Sequence, residues 1–465
     1  MLRLYDSRTR RVEEIVPARR GELRMYVCGP TVYRYAHVGN FRSYLFADLI
    51  RRAAERHRLR VTACQNITDV GHLEDDTDID PHGEDKILAQ ARTEGVDAFE
   101  LARRYEDAFW CDTQALNIRP PEHSPRASES IDLMIDLIGR LIESGHAYVA
   151  PDGSVFFDSR SFPSYGAISG NRLDDLRPGH RHEDSIDEKK RFHADWALWK
   201  AAGTKRQMTW ESPWAVGYPG WHIECSAMSL HFLGTPIDVH TGGIDLRFPH
   251  HEDERAQSET AVGREVVRHW VHGEHLLFEG RKMAKSAGNV VLLSDLASRG
   301  LDPLALRLAL MEHRYRQQMN LTWNDLHAAD KTVRRWRARV ADWAESPSRP
   351  MSSDHVQRIH EAVDDDLDTP TALRVLRELE KEPAVPAGAK FETFVYLDGI
   401  LGLDLASDIG QPREAPALPE DAVGLIEERA AARSRRDWPA SDRLRDELAA
   451  MGVKVIDTPE GQRWS

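Results

Sequence analysis

The stretch Met25–Asn40, MYVCGPTVYRYAHVGN, constrains the fold of this chain more than any other. The short apolar run Leu23–Val27 leads into it and reads as a strand buried on both faces. A Cys-Gly-Pro turn follows, and Gly39 in His-Val-Gly-Asn comes 12 residues after Val27. Phe41–Arg58 then shows helical spacing, with apolar residues at 41, 45, 46, 49, 50 and 53. A strand, a loop carrying Cys, His, Gly and Asn, and a helix open a nucleotide-binding βα unit. The expected fold class is therefore α/β, a doubly wound parallel sheet.

The rest of the chain is placed relative to that unit. Residues 1–20 read as an exposed lead-in with a short strand near Arg3–Tyr5. A second strand, Leu59–Gln65, ends in the polar set Asn66-Ile67-Thr68-Asp69, at the carboxyl end of a strand, where open α/β sheets bind ligands. Leu73–Glu84 is acidic and reads as a solvated loop, since it lacks the regular spacing of a calcium site. Helices are expected from Asp85 to about Leu116, then an amphipathic helix over Ser128–Ser144. Tyr148–Gly203 has short β-like pieces and reads as an insertion between two halves of the sheet domain. Sheet-like order is expected again from Trp221, with a strand at Ile237–His240, a tight turn at Thr241-Gly242-Gly243, and a helix from Pro249 to Val262. From Pro303 to about Leu401 helix follows helix, and a Pro-rich linker, Gln411–Pro419, precedes a small last unit. The expected divisions are 1–130 and 219–280 for the halves of the sheet domain, 131–218 for the insertion, 281–330 for a loop region, 331–405 for a helical bundle, and 406–465 for the linker and last unit.

At 465 residues, two to four domains are the expectation. No run of about 18 apolar residues spans a membrane, and MLRLYDSRTRR has no apolar signal core, so a cytoplasmic protein is expected. Four cysteines without a CxxC pair argue against a disulfide framework and a zinc ribbon. Cys64 and Cys111 read as buried, inert thiols. The net charge of −14 means that any nucleic-acid surface must be a local basic patch.

Three groups of residues carry chemistry. In Phe248-Pro-His-His-Glu-Asp-Glu254, His250 and Glu254 share a helix face, a spacing that suits zinc but, taken alone, suits helix capping and surface ion pairs better. Cys225 and Cys28 are candidate thiolates to complete a tetrahedral shell. In Gly280–Asn289, GRKMAKSAGN, Lys282 and Lys285 suit triphosphate oxygens, although composition alone reads the stretch as an ordinary basic turn. His37 and Asn40 add donors at the start of the first helix, where its dipole and N–H groups favour an anion.

His37-Val-Gly-Asn40 and Lys282-Met-Ala-Lys-Ser286 resemble the HIGH and KMSKS signatures of class I aminoacyl-tRNA synthetases. Within that class, YVCGPTVY (26–33), QNITDV (65–70), SPW (212–214), PGWHIECSAM (219–228), GGIDLRFPHHEDE (242–254) and HWVHGEHLLFEGRKMAKSAGN (269–289) closely resemble the cysteinyl-tRNA synthetase family. RAAARSRRDWPASDRLRDELAAMGV (429–453) is similar to its C-terminal signature. Departures are Ala284 for the serine of KMSKS, Asn40 for the last histidine of HIGH, and Tyr218 and Thr241 where the family often has Arg and Gly.

The resemblance implies a Rossmann-like catalytic domain with an inserted acceptor-end domain, a tRNA-binding helical bundle and an anticodon-recognition domain. It implies that ATP and L-cysteine give cysteinyl-adenylate, whose acyl group passes to tRNA-Cys. The implied catalytic residues are His37, Asn40, Lys282 and Lys285, with ATP held by His37, Gly39, Asn40, Gly242, Asp245 and Lys285. Cysteine is expected against Gly29, Thr31, Thr68 and Trp221, and one zinc on Cys28, Cys225, His250 and Glu254, with helical geometry pointing His251 and Glu252 elsewhere. Mg2+ is expected with ATP. With four protein ligands, substrate thiolate must add as a fifth donor or displace Glu254. Arg435, Arg436 and Trp438 are the expected tRNA contacts, with Lys331–Arg339 a second basic stretch; both stretches read equally well as solvated, ion-paired helices. A monomer is expected. The rivals are a cysteine ligase acting on an amino sugar, which lacks a full C-terminal unit like Gln411–Ser465, and a non-catalytic cysteine- or RNA-binding paralogue.

Overall fold

The structure is a computed structural model that describes residues 1–70, 85–176, 189–202, 206–283, 288–411, 420–451, 453, 455–458 and 461–464. The expectations for the acidic stretch 73–84, for Lys285 and for linker residues 412–419 fall outside the described residues. The described residues form two compact units, Met1–Ala406 and Ser407–Ser465.

In the first unit, Arg3–Asp6 (β1) and Arg11–Glu14 (β2) pair as an antiparallel hairpin. This is no exposed lead-in: Leu2, Leu4 and Ile15 are buried, and Ser7 Oγ lies 2.7 Å from His272 Nδ1. Glu22–Val27 (β3), Val38–Arg56 (α1) and Arg60–Gln65 (β4) form the expected β–α–β start, with Met25 opposite Ala63 in parallel register. Lys86–Glu94 (α2) and Ala98–Ala115 (α3) follow. Ile131–Glu143 (α4) starts later than its amphipathic pattern suggested, because Ala127–Glu129 takes a tighter 3-10 turn. Cys64 is buried as expected, but Cys111 on α3 is exposed; its apolar neighbours Phe109 and Trp110 lie on other faces of a helix that only half faces the core.

A meander of four antiparallel strands then interrupts the parallel sheet: Ala147–Val149 (β5), Val155–Phe157 (β6), Trp196–Ala201 (β7) and Gly217–Pro219 (β8). Trp221–Leu233 (α5) is a helix where sheet-like order was expected. His222–Ser229 are buried all round, so the segment carries no one-sided stripe for periodicity to detect.

Ile237–Gly243 (β9), His250–Val262 (α6) and Val267–Gly273 (β10) complete the parallel sheet in the order β10-β9-β3-β4. Thr241–Gly243 belong to β9 and form no tight turn. Neighbours on both sides keep them extended, with Thr241 opposite Val27 and Gly242 opposite His272. Glycine is needed here for proximity, since a Cβ on Gly242 would lie 2.8 Å from the His251 ring.

Leu276–Phe278 (β11), Arg281–Lys282 (β12), Leu293–Ser298 (α7), Pro303–Met311 (α8) and Met319–Leu321 (β13) follow, with the strands in the order β12-β11-β13. Trp323–Ala344 (α9), Ser353–Asp364 (α10), Thr369–Lys381 (α11) and Ala387–Leu401 (α12) form the expected bundle. A buried ion network fastens α1 to it. Asp48 Oδ2 accepts from Arg52 Nε at 2.7 Å and from Arg307 Nη2 at 2.6 Å, while Arg307 also donates to the Leu401 and Leu116 carbonyls. The two guanidiniums hold the Asp48 carboxyl below its ordinary range against the upward push of burial.

The second unit comprises Glu420–Ser434 (α13), Trp438–Ala450 (α14) and the hairpin Val455–Thr458 (β14) with Gly461–Trp464 (β15). Ala422, Ile426 and Leu448 form its small core, and buried Arg429 ties α13 to Asp457 and Gln462.

Candidate active site and metal centre

The carboxyl ends of β3, β9 and β10 open onto a cavity of about 380 Å³. Its wall runs along most of the loop singled out in the sequence, from Cys28 to Asn40, and includes Trp221, Gly243, Asp245, Glu274, His275, Lys282 and Met283. The sheet therefore gathers residues from four distant parts of the chain at the place where α/β sheets bind ligands.

At one end, Cys28 Sγ, Cys225 Sγ, His250 and Glu254 bring one donor atom each within 4.8 Å of one another, all buried. His250 Nε2 is 3.0 Å from Glu254 Oε1, and Cys28 Sγ is 3.6 Å from the same oxygen. The rear of His250 is held, its Nδ1 lying 2.8 Å from His222 Nδ1, while His222 Nε2 is 3.3 Å from Asp253. Burial pushes Glu254 well above the carboxylate range, with a hydrogen bond from Cys28 acting the other way. Burial likewise raises the Cys28 thiol. It acts upward on Cys225 too, but the hydrogen bond with Cys28 and the nearby His250 imidazole bring that thiol down to about 7. Two soft sulfurs, an imidazole oriented from behind and a carboxylate in a dry space make a donor set that fits zinc.

His251 differs from expectation. Its three-residue offset from Glu254 keeps it on that residue's face of α6, and its Nε2 reaches 3.2 Å from Cys28 Sγ. Cys28, His240, His251 and Glu254 thus make a second, overlapping donor set, although only one sulfur belongs to it. His251 Nδ1 leans on His272 Nε2 at 2.7 Å. Glu252 does point away, accepting from the Ile168 and Ser169 amides.

At the other end, His37 caps α1. Its Nδ1 accepts from the Gly39 and Asn40 amides at 3.1 and 3.3 Å, and Asn40 Oδ1 accepts from the His37 amide at 3.0 Å. The amides expected to meet an anion are therefore already capped, which leaves His37 Nε2–H and the Asn40 amide group as the donors there. Burial and the Arg34 charge lower the His37 pKa to about 4, so the ring is neutral at pH 7. A Cβ on Gly39 would lie 2.7 Å from Met283 Cε, which shows how closely the two signatures pack. Asn289 Nδ2 donates to the Lys282 carbonyl at 3.0 Å and Val38 N to the Val291 carbonyl at 2.9 Å.

Other expected residues are placed unevenly. Gly29, Thr31, Trp221 and Asp245 line the cavity. Trp221 packs its ring 4.2 Å from that of His250. Thr68 lies behind the wall, its hydroxyl donating to Glu224 and accepting from Asn66. Gly243 lines the cavity, and Gly242 sits beneath it against His251. Tyr218, the departure at a position often Arg, carries the Arg206 guanidinium 3.5 Å above its ring. In the bundle, Arg334, Arg335 and Arg337 pair with Asp330, Glu380 and Asp302, so much of the Lys331–Arg339 charge is used internally. In the second unit, Arg435, Arg436 and Trp438 are exposed. Sequence reading passed over Tyr33, Arg34, Tyr35, Lys86 and Tyr105 on the cavity rim, although the Tyr-Arg-Tyr alternation inside the key loop was a visible signal.

Comparison with known proteins places the chain in a family. Residues 14–331 match the family model of the class I (C) tRNA synthetase catalytic domain, and residues 415–464 that of the cysteinyl-tRNA ligase anticodon binding domain. A cysteine-tRNA ligase of Thermus thermophilus is 43% identical, covering 99% of this chain and 98% of its own length. One from Salinibacter ruber is 40% identical over 99% and 98%. Among solved structures, a Mycobacterium tuberculosis methionyl-tRNA synthetase has a TM-score of 0.55 at 18% identity, covering 90% of this chain and 96% of its own. An Agrobacterium radiobacter LeuRS in a complex with tRNA has a TM-score of 0.62 at 11% identity, covering 86% and 87%. These two share the fold.

Proposed function

Because the chain belongs to the cysteinyl-tRNA ligase family of class I synthetases, and so joins cysteine to tRNA-Cys with ATP, we propose how its residues divide that work. The observation that carries the proposal is that one loop bears both ends of the site. Cys28 stands with Cys225, His250 and Glu254, while His37 and Asn40 stand beside Lys282 at the start of α1.

Cysteine enters with its side chain toward Cys28 and Trp221 and its carboxylate toward His37. Neutral His37 donates from Nε2, and Asn40 from its amide, to phosphate oxygens whose charge grows as the carboxylate attacks the α-phosphate. Lys282 and Lys285 hold the triphosphate, and Asp245 and Gly243 bound the adenosine. No residue need form a covalent bond, because such a displacement is helped mainly by positioning and charge stabilisation. Cys28, Cys225, His250 and Glu254 would hold a zinc ion, which would supply a preference for thiolate over hydroxyl, a discrimination of serine that an apolar pocket makes poorly. Glu254 would be the residue to give way to the substrate sulfur. Mg2+ accompanies ATP, the 331–405 bundle and Arg435, Arg436 and Trp438 meet the tRNA, residues 131–218 serve the acceptor end, and the protein works as a cytoplasmic monomer.

The test is charging of tRNA-Cys with labelled cysteine and, separately, with labelled serine. Cysteine is expected to be accepted and serine rejected by at least about 10³-fold, beyond what a hydrophobic pocket achieves. No cysteine acceptance above background overturns the assignment. Acceptance of an amino sugar in place of tRNA would instead favour the small-molecule ligase, against which the match over 415–464 speaks.

A further inference from the structure

The rim of the cavity carries rings and cations to which the adenylation scheme assigns no direct contact with ATP or cysteine. Tyr35 is 48% exposed, and its ring meets that of Tyr105 edge-on with centroids 4.9 Å apart. Tyr105 is itself fixed, its hydroxyl donating to Glu94 at 2.6 Å, so it braces Tyr35 from behind. Beside them the Arg34 guanidinium lies 4.9 Å from the centre of the Tyr33 ring, and Lys86 Nζ lies 5.9 Å from the same centre. Lys86 is the first residue of α2, whose cap, Asp85, is fully buried and receives Arg206 Nη2 at 2.6 Å. Arg206 comes from the inserted meander, so the rim is held at the junction between the insertion and the cavity.

An exposed ring braced from behind, with two cations on the nearby Tyr33 ring, suits an unpaired nucleotide, with the base on the exposed ring and the phosphates on the cations. ATP brings a base as well, but the proposed scheme gives its adenosine to Asp245 and Gly243 and its phosphates to His37, Asn40 and Lys282. We propose that Tyr35, braced by Tyr105, stacks the 3′-terminal nucleobase of tRNA, and that Arg34 and Lys86 hold the phosphates leading to it. This places the terminal ribose hydroxyl over the carboxyl end of bound cysteine. It also locates a basic patch on a chain of net charge −14. The inference rests on the tRNA-charging function and adds the residues that bring the RNA end into the site.

Tyr35→Ala, Tyr35→Phe and Lys86→Met are compared with the parent protein in two assays: cysteine-dependent ATP–pyrophosphate exchange, which needs no tRNA, and single-turnover transfer to tRNA-Cys. Tyr35→Ala is expected to weaken transfer by at least about fivefold, as loss of one stacked base implies, with exchange changed by less than about twofold. Tyr35→Phe is expected to retain transfer. A third measurement uses tRNA-Cys carrying 2-aminopurine at its 3′ end, whose fluorescence the parent and Tyr35→Phe quench and Tyr35→Ala does not. Equal losses in exchange and transfer, or transfer unaffected by Tyr35→Ala, overturn the proposal. Failure of the parent protein to charge tRNA-Cys at all would instead overturn the reading on which it rests.

Discussion

Replacing Gly29 by Ala places a methyl group where the protein has no room, next to Cys28 of the proposed metal centre. A Cβ there would lie 1.6 Å from the Asn66 carbonyl oxygen and 2.7 Å from its carbon, both backbone atoms of the neighbouring strand end. Restoring ordinary contact at 3.4 Å means moving the two chains apart by nearly 2 Å. Three hydrogen bonds hold them where they are: Gly29 N to Asn66 Oδ1 at 2.8 Å, Thr68 N to the Pro30 carbonyl at 3.0 Å, and Val32 N to the Thr68 carbonyl at 3.1 Å. Overpacking costs about 1–3 kcal/mol and each of the three hydrogen bonds about 1 kcal/mol if lost, so the substitution is expected to destabilise by on the order of 4–6 kcal/mol. The displaced loop carries Cys28, and misplacing a ligand's support typically lowers metal affinity about 10- to 100-fold. Zinc competition against a chromogenic chelator, with urea unfolding alongside, measures both effects. A Gly29→Ala protein with parental zinc affinity and unfolding midpoint would refute the reasoning.

Three further outcomes follow from the geometry. His37→Ala removes the cap from the Gly39 and Asn40 amides and is expected to cost about 1 kcal/mol in urea unfolding at pH 7.5. Because the folded protein favours the neutral ring, with a pKa near 4 against 6.5 unfolded, His37 stabilises fully above pH 6.5 and loses that contribution as pH falls toward 4. The stability gap between parent and variant should therefore narrow over that window; a gap that widened would contradict the assigned tautomer. Asp48→Ala strands two buried guanidiniums and is expected to cost about 3–5 kcal/mol, read by chemical unfolding of the full chain, whereas a surface ion pair would cost under about 1 kcal/mol. Lys282→Ala is expected to slow ATP–pyrophosphate exchange at least about tenfold with zinc content unchanged, since Lys282 belongs to the phosphate end of the cavity; unaltered exchange would remove it from the site.

Sequence reading reached furthest where one residue type serves one purpose. The strand–loop–helix start was legible because its spacing mirrors sheet and helix geometry, whereas the two signatures and the grouping of Cys28, Cys225, His250 and Glu254 came from the family resemblance, and the structure brings those four side chains together. Sequence reading failed where burial is symmetrical. α5 carries most of the PGWHIECSAM motif, yet with polar and apolar residues enclosed alike it shows no stripe. The glycines at 242 and 243 suggested a turn, whereas their smallness serves the approach of His251 and Leu246 and of Asp245 within an extended strand. His251 was set aside by a four-residue rule when three-residue neighbours also share a helix face. The capping role of His37 was invisible because a side chain satisfying its own helix and one facing a ligand occupy the same position in the sequence. Two of the ion pairs of α9, Arg337 with Asp302 and Arg335 with Glu380, involve partners 35 and 45 residues away, so a local basic run misreports the free charge.

The central claim is that the Cys28 end of the loop reads the sulfur of the substrate through a metal, while the His37 end reads phosphate. Zinc-edge X-ray absorption of the zinc-loaded protein, recorded with and without cysteine, tests it most directly. The account predicts two sulfur neighbours from Cys28 and Cys225 in the absence of substrate and three in its presence, with serine producing no such change. A sulfur count that stays the same on adding cysteine would contradict it.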